Sequence, residues 1–183
     1  MGRLTLHTER LDLEPVTAEH LPLLVELNSD PEVMAFILGR AATPEETHAE
    51  WRRRLDHQSD AARGLGYWAA FETGRFVGWW SASSFEGRPE QAGVGYRLRR
   101  EAWGRGLATE GARRMVDQAF ADADIEKVVA STMAVNAGSR RVLEKVGFTH
   151  TETRHEPWDD PIPGSEQGEV GYTISRAEWR TSS

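Results

Sequence analysis

The sequence predicts a protein of the α+β (α/β) class with a central mixed, mostly antiparallel sheet of about seven strands, flanked by helices. Two observations predict this class. Residues 66–99 alternate in hydropathy with a period of two and are broken by turn residues, which is typical of an antiparallel meander. Residues 91–133 then pass from a strand through a glycine-rich turn and an amphipathic helix to another strand, and such a crossover joins parallel strands.

Helices dominate the first third of the chain. The alternating leucines of residues 4–13 predict one strand, and the apolar stripe of residues 17–28 predicts a helix. A short helix is expected over residues 31–38 and a longer one over residues 44–57. Each of these two begins with a proline, which favours the first position of a helix.

The middle of the chain predicts three consecutive strands, at residues 66–71, 75–85 and 91–99. Trp79 and Trp80 are adjacent on the second of them. Their side chains should therefore point to opposite faces of the sheet.

The last part of the chain alternates between helices and strands. The pattern predicts a helix at 107–121, a strand at 127–133 that is buried on both faces, a helix at 136–146, and strands at 148–153 and 169–175. Gly147 should end the second of these helices, because glycine adopts the left-handed conformation of a helix C-cap at little cost.

Length and composition limit the class of protein. The 183 residues predict one domain over residues 1–183. The net charge is −7, from 22 basic and 29 acidic residues, and an acidic surface binds nucleic acid poorly. The absence of cysteine excludes thiolate catalysis and disulfides, and the histidines show no metal-ligand spacing. Neither a membrane-spanning apolar run nor a secretory signal is present, so we expect a cytoplasmic protein.

A glycine-rich turn precedes the helix that begins at residue 107. Its sequence, Trp-Gly-Arg-Gly-Leu-Ala-Thr over residues 103–109, places backbone N–H groups at a helix N-terminus, where the helix dipole favours an anion. Arg99, Arg100 and Arg105 add positive charge, which favours a diphosphate ligand. A tight turn without a ligand explains the glycines equally well. The spacing fits neither a dinucleotide-binding Gly-x-Gly-x-x-Gly pattern nor a P-loop.

Two motifs in this half of the chain resemble those of one family. The stretch over residues 103–110 is similar to the loop with which GNAT N-acetyltransferases bind the pyrophosphate of acetyl-CoA. Asn-Ala-Gly-Ser over residues 136–139 and Leu-Glu-Lys-Val-Gly-Phe over residues 143–148 are similar to the family's second motif, at matching spacing. Thr-Glu-Arg-Leu over residues 8–11 indicates the RimJ/RimL-like branch. The resemblance implies a single GNAT-like domain whose sheet is splayed between its fourth and fifth strands.

The resemblance also implies acetyl-CoA as co-substrate, without a metal. The backbones of Tyr96 and Leu98 would pair with the pantetheine arm, and the N–H groups of residues 104–109 would bind the pyrophosphate. Asn136 would contact the arm, although the same side chain also fits the role of an N-cap. The cofactor-binding residues that we expect are Tyr96, Leu98, Arg99, Gly104, Arg105, Gly106, Leu107, Ala108, Thr109, Asn136, Ser139 and Arg140.

The implied reaction is direct acetyl transfer to a primary amine in a ternary complex. Ser139 is expected to protonate the departing CoA thiolate, and the alternative is a serine that only satisfies a backbone donor. The base stays open, because relatives carry an acid at the position that is Gly93 here. We favour His155 and Glu169, which flank the loop expected at the substrate entrance. The full set of candidate bases is Glu86, Glu90, His155, Glu156, Glu169 and Tyr172, or a chain of water molecules.

The sequence leaves the acceptor amine open among a protein N-terminus, an amino acid, a polyamine and an aminoglycoside-like molecule. Trp79, Trp80, Trp158 and the acids of residues 152–169 are expected near its entrance. A regulatory domain that binds CoA without catalysis is the alternative function, and a nucleotide-binding module is a third. We expect acetyl-CoA and an amine as partners, leave a homodimer open, and expect neither nucleic acid nor a membrane.

Overall fold

The structure, a computed structural model, describes residues 4–55, 58–85 and 87–182. In this part of the chain eight strands form one sheet, in the order β1-β2-β3-β4-β5-β6-β8-β7. The strands are β1 (Leu6–His7), β2 (Asp12–Pro15), β3 (Gly66–Glu72), β4 (Arg75–Phe85), β5 (Arg88–Leu98), β6 (Lys127–Met133), β7 (Thr149–Arg154) and β8 (Glu169–Ser175). The helices are α1 (Leu21–Asn28), α2 (Pro44–Leu55), α3 (Gln58–Ala62), α4 (Leu107–Phe120), α5 (Ala137–Val146) and α6 (Arg176–Ser182).

The sheet confirms both the antiparallel meander and the parallel crossover. β3, β4 and β5 pair antiparallel, and β5 pairs parallel with β6. The ladder between β5 and β6 ends where Gly93 lies opposite Val129, although β5 continues to Leu98 and β6 to Met133. The sheet is therefore splayed between β5 and β6, which are the fourth and fifth strands of the predicted order.

β6 is less buried than its apolar sequence predicts. It is central in the sheet, between β5 and β8. Val128 and Ala130 are buried on one face of the strand, whereas Val129 is only partly buried and Ser131 is exposed on the other.

The N-terminal segment forms two strands where the sequence predicts one. Thr8 makes a tight turn, since its N–H donates to the carbonyl oxygen of Leu11 at 2.9 Å and its hydroxyl oxygen accepts from the Leu11 N–H at 3.0 Å. β1 and β2 consequently pair as a hairpin, with Leu6 opposite Leu13. This break changes the predicted seven strands to eight.

Other elements also differ from the prediction. Residues 31–38 form consecutive turns instead of a helix, because their N–H groups bond to carbonyls three and four residues back without a continuous helical series. α2 ends at Leu55, and His57, where its predicted end lies, falls outside the described residues. α3 and α6 are short helices that the hydropathy pattern does not predict.

The two faces of the sheet carry separate hydrophobic cores. Trp80 is fully buried on the face that α4 covers, and its Nε1–H donates to the carbonyl oxygen of Ala108 at 3.3 Å. Trp79 lies on the opposite face, where its ring packs edge-on against Trp51 of α2 with centroids 5.5 Å apart. The predicted opposite orientation of the two tryptophans is confirmed. In the described chain, no helix is both long enough and apolar enough to span a bilayer.

Candidate active site

The splay opens a cleft of about 830 Å³ between β5 and β6. Residues 94–98 of β5 and residues 130–133 of β6 form two of its walls. The N-terminus of α4 and one side of α5 close it on the face that holds Trp80. Because the ladder has ended, the backbone of β5 past Gly93 has no strand partner on this side.

The glycine turn at one end of the cleft has the conformation that its sequence requires. Gly104 has φ +69°, and Gly106 has φ +82° and caps α4, so both occupy the left-handed region that favours glycine. A Cβ at Gly104 would have no atom within 4 Å, which shows that conformation and not crowding selects glycine there. The first N–H groups of α4 have no partner within the helix and lie at the cleft, because Gly106, Ala108 and Thr109 line it.

The arginines predicted to add positive charge at this turn are paired with carboxylates instead. None of the three lines the cleft, and neither does Leu107, which is fully buried. Their partners come from distant segments, so the sequence alone did not reveal them. The ion pairs are Arg99–Glu26 at 2.8 Å, Arg100–Asp30 at 2.6 Å and Arg105–Glu72 at 2.8 Å.

α5 brings two basic side chains to the cleft, but the predicted Arg140 is not one of them. Arg140 donates to the carbonyl oxygen of Ala134 at 3.1 Å and to the Tyr172 hydroxyl at 3.2 Å, outside the cleft. Arg141 and Lys145 line the cleft instead. They share a helical face with Gly138 and Val142, so the 3.6-residue period was a signal that could have found them.

Ser139 and Asn136 both line the cleft, as expected from the sequence. The Asn136 Oδ1 accepts the Ser139 N–H at 3.1 Å, so the N-cap role of Asn136 is confirmed. The Ser139 Oγ lies 3.1 Å from the Tyr96 hydroxyl. Burial raises the pKa of Tyr96 to about 12, which outweighs the opposite effect of its hydrogen bond to Ser139. The side chain of Tyr96 was not predicted to take part, since only its backbone was assigned a role.

Glu169 is the one candidate base, among those that the structure describes, that lines the cleft. The Ser131 hydroxyl donates to its Oε1 at 2.5 Å. His155 is exposed and is not brought into the cleft. Glu90 and Glu156 are exposed outside it, Tyr172 is buried beneath α5 with Glu144 and Arg140, and Glu86 falls outside the described residues.

The other end of the cleft is apolar. Phe36 and Ile37 line it while 40% and 39% exposed, which is unusual for side chains of this size in the described chain. Trp79 and Trp158 line it as well, as predicted, whereas Trp80 is buried on the other face. The sequence did not single out Phe36 and Ile37, because they occupy a segment that resembled an ordinary short helix.

Two loops meet above this apolar end, and we call residues 31–39 and 155–164 together the roof. A Cβ at Gly39 would lie 2.9 Å from the Ile162 Cγ2, and a Cβ at Gly164 would lie 2.6 Å from the Val135 Cγ2. The approach of Gly39 to Ile162 joins the half of the sheet that ends at β5 to the half that begins at β6, and the approach of Gly164 to Val135 packs the second loop against the end of β6. Phe36, Ile37 and Trp158 of these two loops line the apolar end.

Arg97 lies against the ring of Trp79 at the wall of the cleft. The sequence pattern did not predict a role for it. It is 7% exposed and lines the cleft, and its Nη1 donates to the Asn28 Oδ1 at 2.6 Å. Its guanidinium lies 3.1 Å from Glu50 and 5.3 Å from the centroid of the Trp79 ring. Burial lowers its pKa, against the opposing charge of Glu50. The network fixes the aromatic wall in place.

No group of three or more histidine, aspartate or glutamate side chains in the described residues could hold a metal ion.

Comparison with known proteins identifies the family. The profile described as acetyltransferase (GNAT) domain matches residues 10–149. The chain is 40% identical over 185 residues to FsC-acetyl coenzyme A-N(2)-transacetylase of Aspergillus fumigatus, covering 96% of this chain and 77% of that protein. It is 24% identical over 172 residues to the putative ribosomal N-acetyltransferase YdaF of Bacillus subtilis, covering 91% and 90%.

The fold is similar to that of a solved relative. The spermidine N-acetyltransferase from Vibrio cholerae, crystallised with CoA and spermine, superposes with a TM-score of 0.77 at 15% identity, covering 93% of this chain and 98% of that one. The profile match over most of the sequence and the 40% identical relative confirm the family that the two motifs resemble. The chain belongs to the GNAT acetyltransferase family.

Proposed function

We propose that this chain is an acetyl-CoA-dependent N-acetyltransferase that acetylates the primary amine of a small molecule with an apolar body. One observation carries the proposal: a single cleft of about 830 Å³ joins the N-terminus of α4 to the apolar end at Phe36 and Trp158. Family membership supplies acetyl-CoA as the donor. A chain without cysteine excludes a cysteine acyl-enzyme, so direct transfer in a ternary complex is the simplest course.

The donor end of the cleft suits CoA in its shape and in its polar groups. The free backbone edge of β5 at Tyr96 and Leu98 can pair with the extended, amide-containing pantetheine arm as an added strand would. The N–H groups at the start of α4 are suited to the pyrophosphate. Arg141 and Lys145 supply the positive charge that the ion-paired arginines of the turn do not.

Side chains in the cleft can supply the proton donor and the proton acceptor that acetyl transfer needs. The amine nitrogen attacks the thioester carbonyl, a C–N bond forms, and the C–S bond breaks to release the CoA thiolate. Ser139 donates a proton to that sulfur and regains one from water. Glu169 is the carboxylate available to accept the proton that the amine loses, directly or through water. Glu169 and Ser139 are thus assigned the roles of base and acid.

The lining favours an acceptor with one cationic group and an apolar remainder. Phe36, Ile37 and Trp158 offer apolar contact, and Glu32 and Glu169 are the carboxylates that line the cleft among the described residues. A polyamine or an aminoglycoside carries several ammonium groups and would need more carboxylates than two. The roof limits the space for a folded protein chain, which favours a small molecule over a protein N-terminus.

A specific observation keeps the non-catalytic alternative in view. At Gly93, where the family resemblance implies that relatives often carry an acid, a Cβ would lie 3.0 Å from the ring of Phe85. The position is therefore filled by an aromatic ring, and a carboxylate there would need Phe85 to move. A CoA-binding domain without catalysis would show CoA binding and no transfer to any amine.

An amine panel tests the proposal. Release of the CoA thiol from acetyl-CoA is measured with phenethylamine and tryptamine, with spermidine, with kanamycin and with a peptide bearing a free N-terminus. We expect kcat/KM for the two aralkyl amines to exceed that for each of the others by about tenfold or more. A tenfold ratio corresponds to roughly 1.4 kcal/mol of additional apolar contact free energy.

Replacement of Phe36 by alanine should remove most of that preference, and replacement of the equally exposed Phe85, which does not line the cleft, should leave it unchanged. A higher kcat/KM for spermidine, kanamycin or the peptide would contradict the acceptor class. Calorimetric CoA binding without thiol release in any arm would contradict the proposed acceptor class and favour the non-catalytic alternative.

We also propose that the chain belongs to the RimJ/RimL-like branch and acts in the cytoplasm, on the sequence features given above. The similarity to YdaF supports the branch. Cell fractionation tests the compartment, and light scattering tests whether the chain forms a homodimer.

A further inference from the structure

The Thr-Glu-Arg-Leu segment near the N-terminus meets the glycine turn through one carboxylate, that of Glu110. The Thr8 hydroxyl donates to its Oε1 at 2.5 Å, and the Arg10 backbone N–H donates to the same oxygen at 2.8 Å. The Arg10 guanidinium binds the other oxygen, with Nε at 2.7 Å and Nη2 at 2.6 Å. Four donors from one turn of the chain thus converge on a residue in the first turn of α4.

Arg10 makes a second contact, to the glycine turn itself. Its Nη1 donates to the carbonyl oxygen of Arg105 at 2.9 Å, and its Nη2 lies 3.4 Å from where a Cβ on Gly106 would stand. In a trans peptide the C=O and the following N–H point in opposite directions. Holding the Arg105 carbonyl toward Arg10 therefore turns the Gly106 N–H away from Arg10, and Gly106 lines the cleft.

The charge of Glu110 must be neutralised if the N-terminus of α4 is to bind an anion. A bare carboxylate in the first turn of α4 would repel an anion at that helix N-terminus. Burial alone would disfavour its charge, but the hydrogen bonds from Thr8 and Arg10 outweigh burial and lower the pKa of Glu110. Arg10 neutralises the carboxylate through Nε and Nη2, and its Nη1 donates to the glycine turn.

We propose that Arg10 and Glu110, with Thr8, form a brace that presets the Arg105–Gly106 peptide for the CoA pyrophosphate. Arg10 is then a positioning residue for acetyl-CoA that touches no substrate atom. This inference rests on the proposed function, because it assumes that the turn binds the pyrophosphate. It assigns a physical role to an N-terminal motif that the sequence analysis used only as a family signature.

The test compares two acetyl donors that differ in the pyrophosphate. Wild type, Arg10→Ala and Glu110→Gln are assayed with acetyl-CoA and with S-acetylpantetheine, which lacks the nucleotide and the pyrophosphate. For Arg10→Ala we expect KM for acetyl-CoA to rise about tenfold, since charge-assisted hydrogen bonds contribute roughly 1.5–3 kcal/mol each. kcat with acetyl-CoA, and kcat/KM with S-acetylpantetheine, should stay within about twofold of wild type. Glu110→Gln should show the same pattern with a smaller increase in KM.

Arg63→Ala is the matched control. Arg63 also joins two segments through a carboxylate and a carbonyl, with Asp122 at 2.6 Å and Pro89 at 2.7 Å, but it does not line the cleft. It should lower the melting temperature and leave KM unchanged. The brace would be overturned if Arg10→Ala lowered kcat/KM equally with acetyl-CoA and with S-acetylpantetheine, or if it left KM for acetyl-CoA unchanged.

Calorimetric binding of CoA to the same variants supplies a readout that needs no turnover. If wild type binds CoA without acetyl transfer, the proposed function fails while the brace is still tested by the weakening of CoA binding. A CoA dissociation constant in Arg10→Ala within twofold of wild type would overturn the brace.

Discussion

Ser139 and Tyr96 illustrate at the residue scale how one hydroxyl can direct another. Their oxygens are 3.1 Å apart, and each could donate to the other. When the Tyr96 hydroxyl donates, the Ser139 proton is free to point into the cleft toward the departing sulfur. Tyr96 can do so because its high pKa keeps it protonated.

Replacement of Ser139 by alanine should lower kcat by about a hundredfold, because general acid catalysis contributes at least that much in typical cases. Steady-state thiol release measures kcat, and calorimetry should show CoA affinity within about twofold of wild type. A kcat unchanged by the substitution would remove Ser139 from the mechanism.

The pH dependence of kcat should show no ionisation of Tyr96 at neutral and mildly alkaline pH. The neutral phenol is the form present below its pKa of about 12, so its hydroxyl stays available as a donor throughout neutral and mildly alkaline pH. Tyr96→Phe should lower kcat while the pH profiles of the two proteins keep the same shape up to about pH 10. A falling alkaline limb in wild type that is absent from Tyr96→Phe would show that the tyrosine ionises there.

The element scale shows how closely α4 is fitted to the sheet. A Cβ at Gly111 would lie 2.4 Å from the ring of Trp80, which is fully buried and cannot move aside. Glycine is needed in this helix because the sheet approaches so closely. Gly111 interrupts an otherwise good helical pattern in the sequence, but the cause of the interruption is the contact with Trp80, which local hydropathy does not reveal.

Replacement of Gly111 by alanine should lower the free energy of unfolding by about 2 kcal/mol, the usual cost of overpacking a core. Gly138→Ala is the control, because its Cβ would meet the nearest atom at an ordinary 3.7 Å and alanine favours a helix. Urea denaturation should show the control equal to wild type or slightly more stable. Equal stability of wild type and Gly111→Ala would mean that Trp80 and α4 can separate at no cost.

The stability that the hydrogen bonds between the β1–β2 turn and Glu110 of α4 contribute should depend on pH. The folded state lowers the pKa of Glu110 below its ordinary value of 4.5, so the carboxylate contributes stability above that value and loses it as the pH falls through the folded pKa. Wild type should therefore be more stable than Glu110→Gln at neutral pH, and the difference should shrink toward about pH 3. Thermal denaturation measures both proteins, and a difference that is constant with pH would contradict the assigned cause.

Elements with a regular period could be predicted from the sequence, whereas contacts between distant segments could not. α4 and the Gly147 cap of α5 were predicted to within one or two residues, because local hydropathy and glycine conformation determine them. The break at Thr8 was missed, since it depends on a side-chain hydrogen bond. The same limit explains why Arg99 was assigned to the cofactor although Glu26 pairs with it.

At the scale of the whole molecule, the site exists because two halves of one sheet separate. The ladder between β5 and β6 ends after Gly93, and the roof rejoins the halves where Gly39 meets Ile162. Family resemblance predicted the splay, but the roof depends on loop packing that no local pattern encodes. The donor end was therefore largely predictable and the acceptor end was not.

A crystal structure of the chain with CoA tests the central claim most directly. The account predicts the pantetheine arm between β5 and β6 beyond Gly93, with the pyrophosphate at the N–H groups of residues 104–109. Density for CoA outside the cleft, or a pyrophosphate bound elsewhere while residues 104–109 stay free, would contradict it.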